Sequence, residues 1–133
     1  MSKGNTTEVD MLAKVFKATA LSWDAATELD IHLHVGDPGE AGTAATSPAT
    51  YTSYAPVTVD RNGTDWTGTN PISNAILVQF PQCTGSTNTI THVSITPQGS
   101  TQILYSGALN ASLAVANLIQ PQFAIGALQI SED

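Results

Sequence analysis

The densest run of side chains able to do chemistry is Asp30-Ile31-His32-Leu33-His34. In an extended chain Asp30, His32 and His34 share one face. Two imidazoles at that spacing can begin a metal site. Completing one needs a ligand from a distant segment, and His92 is the one histidine left. The plainer reading is the polar face of a half-buried strand, or an interface pair, and it requires nothing beyond the alternation. No metal and no cofactor are expected. Asp37-Pro38-Gly39-Glu40 brings two carboxylates close in sequence, but its residue types are those of a turn. Nucleophilic catalysis lacks a Gly-x-Ser-x-Gly elbow, and Ser106-Gly107 has no acid or base nearby. Phosphate-cradling Gly-Lys-Ser or Gly-Lys-Thr does not occur. Paired acids for glycoside hydrolysis would have to come from the first half of the chain, and general acid–base work in the second half would rest on His92. An enzyme is not expected. Trp23, Trp66, Tyr51, Tyr54 and Tyr105 offer faces on which a sugar can stack, although aromatics in this number are more often core or interface anchors.

These side chains must be positioned by strands. Before the strands, the spacing predicts a helix over 6–18, capped by Asn5 with Glu8 as the return partner. Glu8 and Asp10 suit the start of a helix dipole, and Lys14 and Lys17 suit its end. Val9, Leu12, Phe16 and Ala20, with Ala13 alongside, form one apolar stripe. So short a helix must pack on its own sheet or on another subunit. Leu29, Ile31, Leu33 and Val35 alternate with Asp30, His32 and His34, which predicts a strand with one buried face. A long surface loop follows over 40–50, and loops of that length often make contacts. Further strands are expected over 51–59, with Pro56 marking an edge or bulge, around Trp66, over 72–80 and over 88–96. The parity is broken in the last of these, because Ile90 falls on the His92 face. Asn62-Gly63 predicts a type I′ hairpin. A hairpin around Asn110 and a closing strand over 122–130 complete about eight strands. The expectation is a mainly β, single-domain antiparallel β-sandwich, jelly-roll-like, with one short N-terminal helix. The domain spans 1–133 and its sandwich 29–130.

Composition narrows what such a domain does. The net charge is −7 and the cations are Lys3, Lys14, Lys17 and Arg61. That excludes nucleic acid as a partner, because phosphate binding needs Lys and Arg, and disfavours an anionic membrane surface. No run approaches the roughly 20 apolar residues of a membrane span. Lys3 is not followed by the apolar stretch of a secretory signal, so the glycosylation triplets at Asn5, Asn62 and Asn110 carry little weight. Cys83 is the single cysteine and reads as a small buried filler. From Trp66 to Ser131 there is no Asp, Glu, Lys or Arg. Soluble monomers guard exposed strand edges with charge, so this half of the chain is expected to be covered by neighbouring chains.

Leu33-His34-Val35-Gly36-Asp37-Pro38-Gly39-Glu40-Ala41-Gly42-Thr43 and Tyr51-Thr52-Ser53-Tyr54-Ala55-Pro56-Val57-Thr58 resemble small virion proteins of tailed bacteriophages. So do Ile103-Leu104-Tyr105-Ser106-Gly107-Ala108-Leu109 and Pro121-Gln122-Phe123-Ala124, and the likeness runs from about Leu29 to Ile130. It implies a virion structural protein with no catalytic residues, of a group labelled tail fibre or head decoration. The function expected is capsid decoration, a homotrimer that cements the head shell by contacts with itself and the major capsid protein or other virion proteins. The alternative is a tail or tail-fibre component with a host-surface-binding role. The protein is expected on the virion, on the capsid surface ahead of the tail, after synthesis in the host cytoplasm. Interface candidates are Val9, Leu12, Phe16, Asp37, Pro38, Glu40, Tyr51, Tyr54 and Trp66.

Overall fold

A computed structural model describes residues 1–133. In chain order the elements are β1 (Ser2–Lys3), α1 (Asn5–Lys17), β2 (Glu28–His34), β3 (Val57–Asp60), β4 (Trp66–Gly68), β5 (Ile72–Asn74), β6 (Val78–Gln79), β7 (Asn88–Pro97), β8 (Tyr105–Val115), β9 (Gln122–Phe123) and β10 (Gln129–Ile130). The principal sheet is antiparallel with order β1-β8-β7-β2-β3. A second layer is made of β10-β5-β4 and the β6-β9 pair. The result is the expected mainly β antiparallel sandwich with one short helix, its second layer broken into short pieces.

The apolar face of β2 does what its alternation predicts. Ile31 and Leu33 are buried and share the core with Ile90, Val93 and Ile95 of β7, Val115 of β8, and Val78, Phe80 and Leu128 of the second layer. Cys83 is part of the same cluster. An aromatic chain ties the layers together. Tyr51 meets Tyr54 edge-on at 5.3 Å between centroids, Tyr54 stacks on Phe80 at 6.4 Å, and Phe80 meets Phe123 at 6.2 Å.

The opposite face of β2 is not solvated, contrary to the half-buried reading. Asp30 and His34 are buried, while Val35 lies past the strand and is exposed. β2 is a central strand, and the chain after it folds back alongside. Val35 N–H donates to Ser47 O (2.9 Å) and Ala49 N–H to Leu33 O (2.9 Å). Leu33 N–H donates to the Tyr54 hydroxyl oxygen (2.8 Å). These bonds stand in for β3, whose pairing with β2 ends at Ile31 opposite Val57. The expected strand over 51–59 is thereby halved: residues 51–54 turn so that both tyrosines point inward.

Four further expectations are corrected. Asn62-Gly63 does not close a hairpin, since β3 and β4 belong to different sheets. The Asn62 carboxamide oxygen accepts from Thr64 and Asp65 N–H (2.9 Å each), which makes a local turn that carries the chain from one layer to the other. No hairpin forms at Asn110, because β8 runs on and pairs with β7 at both ends: Ile90 opposite Leu113, then His92 opposite Ala108. The skipped residues Leu109–Ser112 bulge out of β8. Thr91 is the residue skipped in β7, which is why Ile90 and Val93, three apart, both reach the core. The run 72–80 is split by Asn74, whose buried amide donates to Ile76 O (2.7 Å) and Ala124 O (2.9 Å) and accepts from Leu128 N–H (2.9 Å). The run 122–130 is split at the same level, so one interrupted ladder joins β5–β6 to β9–β10.

The helix begins at Asn5 with Gly4 as its N-cap, and no side chain caps it, so the Asn5–Glu8 capping box does not form. Instead Asn5 N–H donates to Glu40 O (2.9 Å) and Gly4 N–H to Leu104 O (3.1 Å). Gly4 passes so close to Ile103 that a Cβ would overlap the Ile103 carbonyl oxygen. Gly4→Ala must displace one strand from the other. We expect it to cost about 1–3 kcal/mol, read as a lowered midpoint in urea unfolding; an unchanged midpoint would show that the close approach is not required. Both ends of the chain are held by the chain itself. Ser2 pairs with Ser106, Lys3 Nζ meets Glu132 Oε1 at 2.9 Å, and Asn70 exchanges two bonds with the Glu132 backbone.

Candidate functional site

The expected apolar stripe exists, and it faces away from the molecule. Thr7 is the buried residue of α1. Its hydroxyl donates to Ile103 O (2.8 Å), and Gln102 Nε2 donates to Thr7 Oγ1 (3.2 Å) and Asp10 Oδ2 (2.8 Å). The polar side of the helix therefore seats it on the segment that leads into β8. Val9, Leu12, Val15 and Phe16 stand out in solvent, 65%, 59%, 66% and 79% exposed. An amphipathic helix normally does the reverse. The stripe is wider than its expected members, because exposed Val15 flanks it. Ala20 does not belong to it: Ala18 takes a left-handed conformation (φ 51°) and ends the helix first.

The long loop after β2 lies beside the helix start. Asp37 and Glu40 are exposed, Pro38 is buried, and Asp37 Oδ1 accepts from Gly39 N–H (2.8 Å) in the expected turn. The Glu40 carbonyl that receives Asn5 N–H joins loop and helix into one surface. Tyr51 is buried and Tyr54 is half-buried against the core, so neither belongs to this surface. Tyr51 is 2% exposed, its hydroxyl donates to Pro81 O (2.8 Å), and burial pushes its pKa up to about 12. Both tyrosines are core anchors. Trp66 is half-buried on the far layer, its indole N–H given to Asp60 O (3.1 Å).

A second open surface lies along β8. β1 pairs only with Tyr105 and Ser106, so the outer edge of β8 is unpaired from Gly107 onward. That edge borders a groove of about 970 Å³, whose other wall includes Phe123, Leu128 and Gln129, and no Asp, Glu, Lys or Arg lines it. The charge-free half of the chain thus presents an unguarded strand edge.

The histidines are structural in their bonding. His34 Nδ1–H donates to Thr46 O (2.9 Å), so Nε2 accepts from the Ser94 hydroxyl (2.7 Å). Burial favours this neutral ring over the imidazolium. Burial lowers the pKa of His34, and burial likewise lowers that of His32, whose Nε2 meets Thr96 Oγ1 at 3.0 Å. His92 lies across from His34 in the ladder and bonds Thr91 Oγ1 through Nδ1 (2.8 Å). A folded-state pKa below the ordinary histidine value of about 6.5 means that the unfolded chain takes up the proton first. The stability tied to neutral His34 and His32 is fully present above pH 6.5 and is lost as pH falls toward their depressed folded values. Denaturation midpoints should therefore drop between about pH 6.5 and 5, before the carboxylates titrate. A flat profile over that window would refute this role.

A family model described as Podophage GP4 fiber I protein gp80 matches residues 2–131. The chain belongs to this family. No curated protein matches it. Membership in the gp80 family makes this a phage virion structural protein, as the sequence resemblance implies, and the family's description names a fibre. No helix of this gp80-family chain is long and apolar enough to cross a membrane.

Sequence reasoning missed the direction in which the stripe of α1 points, as well as Val15 and Asn74. Burial at a single helical residue, Thr7, decides the first. No periodicity carries that information, because a stripe reads the same whichever way it faces.

Proposed function

We propose that this chain is a non-catalytic building block of a virion fibre, and that it works by packing against copies of itself through the outward stripe of α1. One observation carries the reading: the helix gives its polar side to its own domain, at Gln102 and Ile103, and its apolar side to solvent. Val9, Leu12 and Phe16 follow the three–four spacing of a helix–helix seam. Thr7 and Asp10, which hold the body, sit on the opposite side, so body and partner helices do not compete for one face. Val15, 66% exposed, widens the stripe beyond what one neighbour helix covers. A ring of three copies, in which every helix touches two others, covers it, and closed rotational symmetry is the usual form of such assemblies. The exposed loop at Asp37 and Glu40 lies alongside and adds a polar rim. The open edge of β8 offers a second, charge-free contact to a neighbouring virion protein.

The family's description favours a fibre over the capsid decoration expected from the sequence. Gold-labelled antibody on intact particles tests the location. Label confined to the tail appendages agrees with the fibre reading, whereas label spread over the head would replace it with decoration.

A further inference from the structure

Both tryptophans of this chain line a single groove. It opens between the two layers of the sandwich, holds about 620 Å³, and has an apolar floor from Leu29, Ile95, Leu104 and Ile130. Trp23, Trp66 and Tyr105 wall it, and Asn62, Thr67 and Thr69 stand on its rim. We propose that this groove binds an oligosaccharide, with sugar rings stacked on Trp23 and Trp66 and their hydroxyls bonded by Asn62 and the rim threonines.

The walls are set to present ring faces. Trp66 Nε1–H is tied to Asp60 O (3.1 Å) and Trp23 Nε1–H to Asp10 Oδ2 (3.4 Å). Tyr105 donates its hydroxyl to Glu132. With their polar edges engaged, these rings have only π-faces to offer a ligand. The Arg61 guanidinium lies 5.4 Å from the Trp23 ring centre and occupies one side of it. The guanidinium is itself held by Asp24 O (2.8 Å) and Ala26 O (3.0 Å), so the stack is rigid before any ligand arrives.

Charge selects the ligand class. Arg61 is paired with Asp24, and Glu132 with Lys3. Both charges at the groove are thus answered within the chain, which leaves neither a phosphate site nor a cation site. What remains is aromatic face beside uncharged amide and hydroxyl, the complement of a neutral ring with one C–H face and a rim of hydroxyls. The Asn62 carboxamide oxygen is used by its own turn, which aims the NH₂ group outward as a donor. The volume falls within the range of small-molecule sites, about 300–1,000 Å³. This inference is independent of assembly, since every residue named comes from one chain.

Tryptophan emission, excited selectively over tyrosine, reports on this groove, because both tryptophans line it. Titration with hexose, N-acetylhexosamine and deoxyhexose oligomers to millimolar concentration should give a saturable change in emission with at least one class, matched by retention of the protein on a printed array of the same sugars. Trp23 lies in a loop outside the core, so Trp23→Ala should keep the native circular dichroism and bind at least ten-fold more weakly. Trp66→Phe, which retains a ring, should weaken binding less. A variant at Phe16, which stands on the solvent side of α1 away from Asp10 and the groove, should bind as the parent does even when its assembly is lost, so the two readings fail separately. Absence of saturable binding across the panel, or equal binding by the parent and Trp23→Ala, would overturn the proposal.

Discussion

Replacing Phe16 with Asp should take the assembled protein apart into folded monomers. Phe16 is 79% exposed in the single chain, so the monomer has little to lose, and exposed substitutions away from special features usually stay within about 0.5 kcal/mol. In a helix seam the same residue is central. Burying a Phe side chain contributes about 1.5–3 kcal/mol, and a symmetric assembly loses that at every copy. Carboxylates would also be brought together in a site with little water. The association constant should fall by at least about a hundred-fold, which corresponds to roughly 2.7 kcal/mol. Sedimentation should show monomers at micromolar concentration, with far-UV circular dichroism and the urea midpoint of the monomer unchanged. An assembly that survives Phe16→Asp would remove α1 from the contact. Loss of the fold would mean that the stripe supports its own domain.

Asn74→Leu should be the most damaging single change to the fold itself. Leu shares the branched outline of Asn, and its bulkier methyl groups add an overpacking cost to the main one. The damage is polar: Leu128 N–H and the carbonyls of Ile76 and Ala124 lose their partner in the interior. An unpaired buried polar group costs about 1–3 kcal/mol, so the three together should cost about 3–5 kcal/mol, a large share of the roughly 5–15 kcal/mol that holds a domain of this kind. Asn74→Asp keeps the acceptor for Leu128 and loses both donors, so it too should destabilise strongly. Chemical denaturation checks both variants. A loss below about 1 kcal/mol would show that the two broken strands are held by apolar packing instead.

These two residues mark the border of what the sequence disclosed. The helix was legible because its charges follow the dipole and its apolar residues follow the helical period. Which side faces the body was not, since that depends on Thr7 finding Ile103 from the far end of the chain. The core side of β2 was legible from Leu29, Ile31 and Leu33. Its polar side looked solvated because strict alternation usually means one wet face, and here a folded-back loop bonds His34 through Thr46 O while Thr58 and Gly99 N–H satisfy Asp30. Asn74 sat inside an apolar run that reads as one strand, and nothing local says that its amide will replace the ladder. Ile90 is the instructive opposite case. Its parity conflict with His92 was visible in the sequence, and the structure resolves it as a bulge. Of the aromatic residues, composition gave the number but not the grouping: Tyr51 and Tyr54 went inward, whereas Trp23, Trp66 and Tyr105 met at the groove.

The assembly follows a charge economy set by the sequence. No Asp, Glu, Lys or Arg occurs from Trp66 to Ser131, and the stripe of α1 is apolar. Contacts made by such surfaces should be nearly indifferent to ionic strength, because screening acts on charge pairs. The central claim is that this chain is a self-associating virion building block, and the mass of the purified protein in solution tests it most directly. At low salt and again in molar salt, the mass should be a multiple of the 13.8 kDa chain, with a trimer as the expected species. A monomer at every concentration, or an assembly that falls apart as salt is added, would contradict the account.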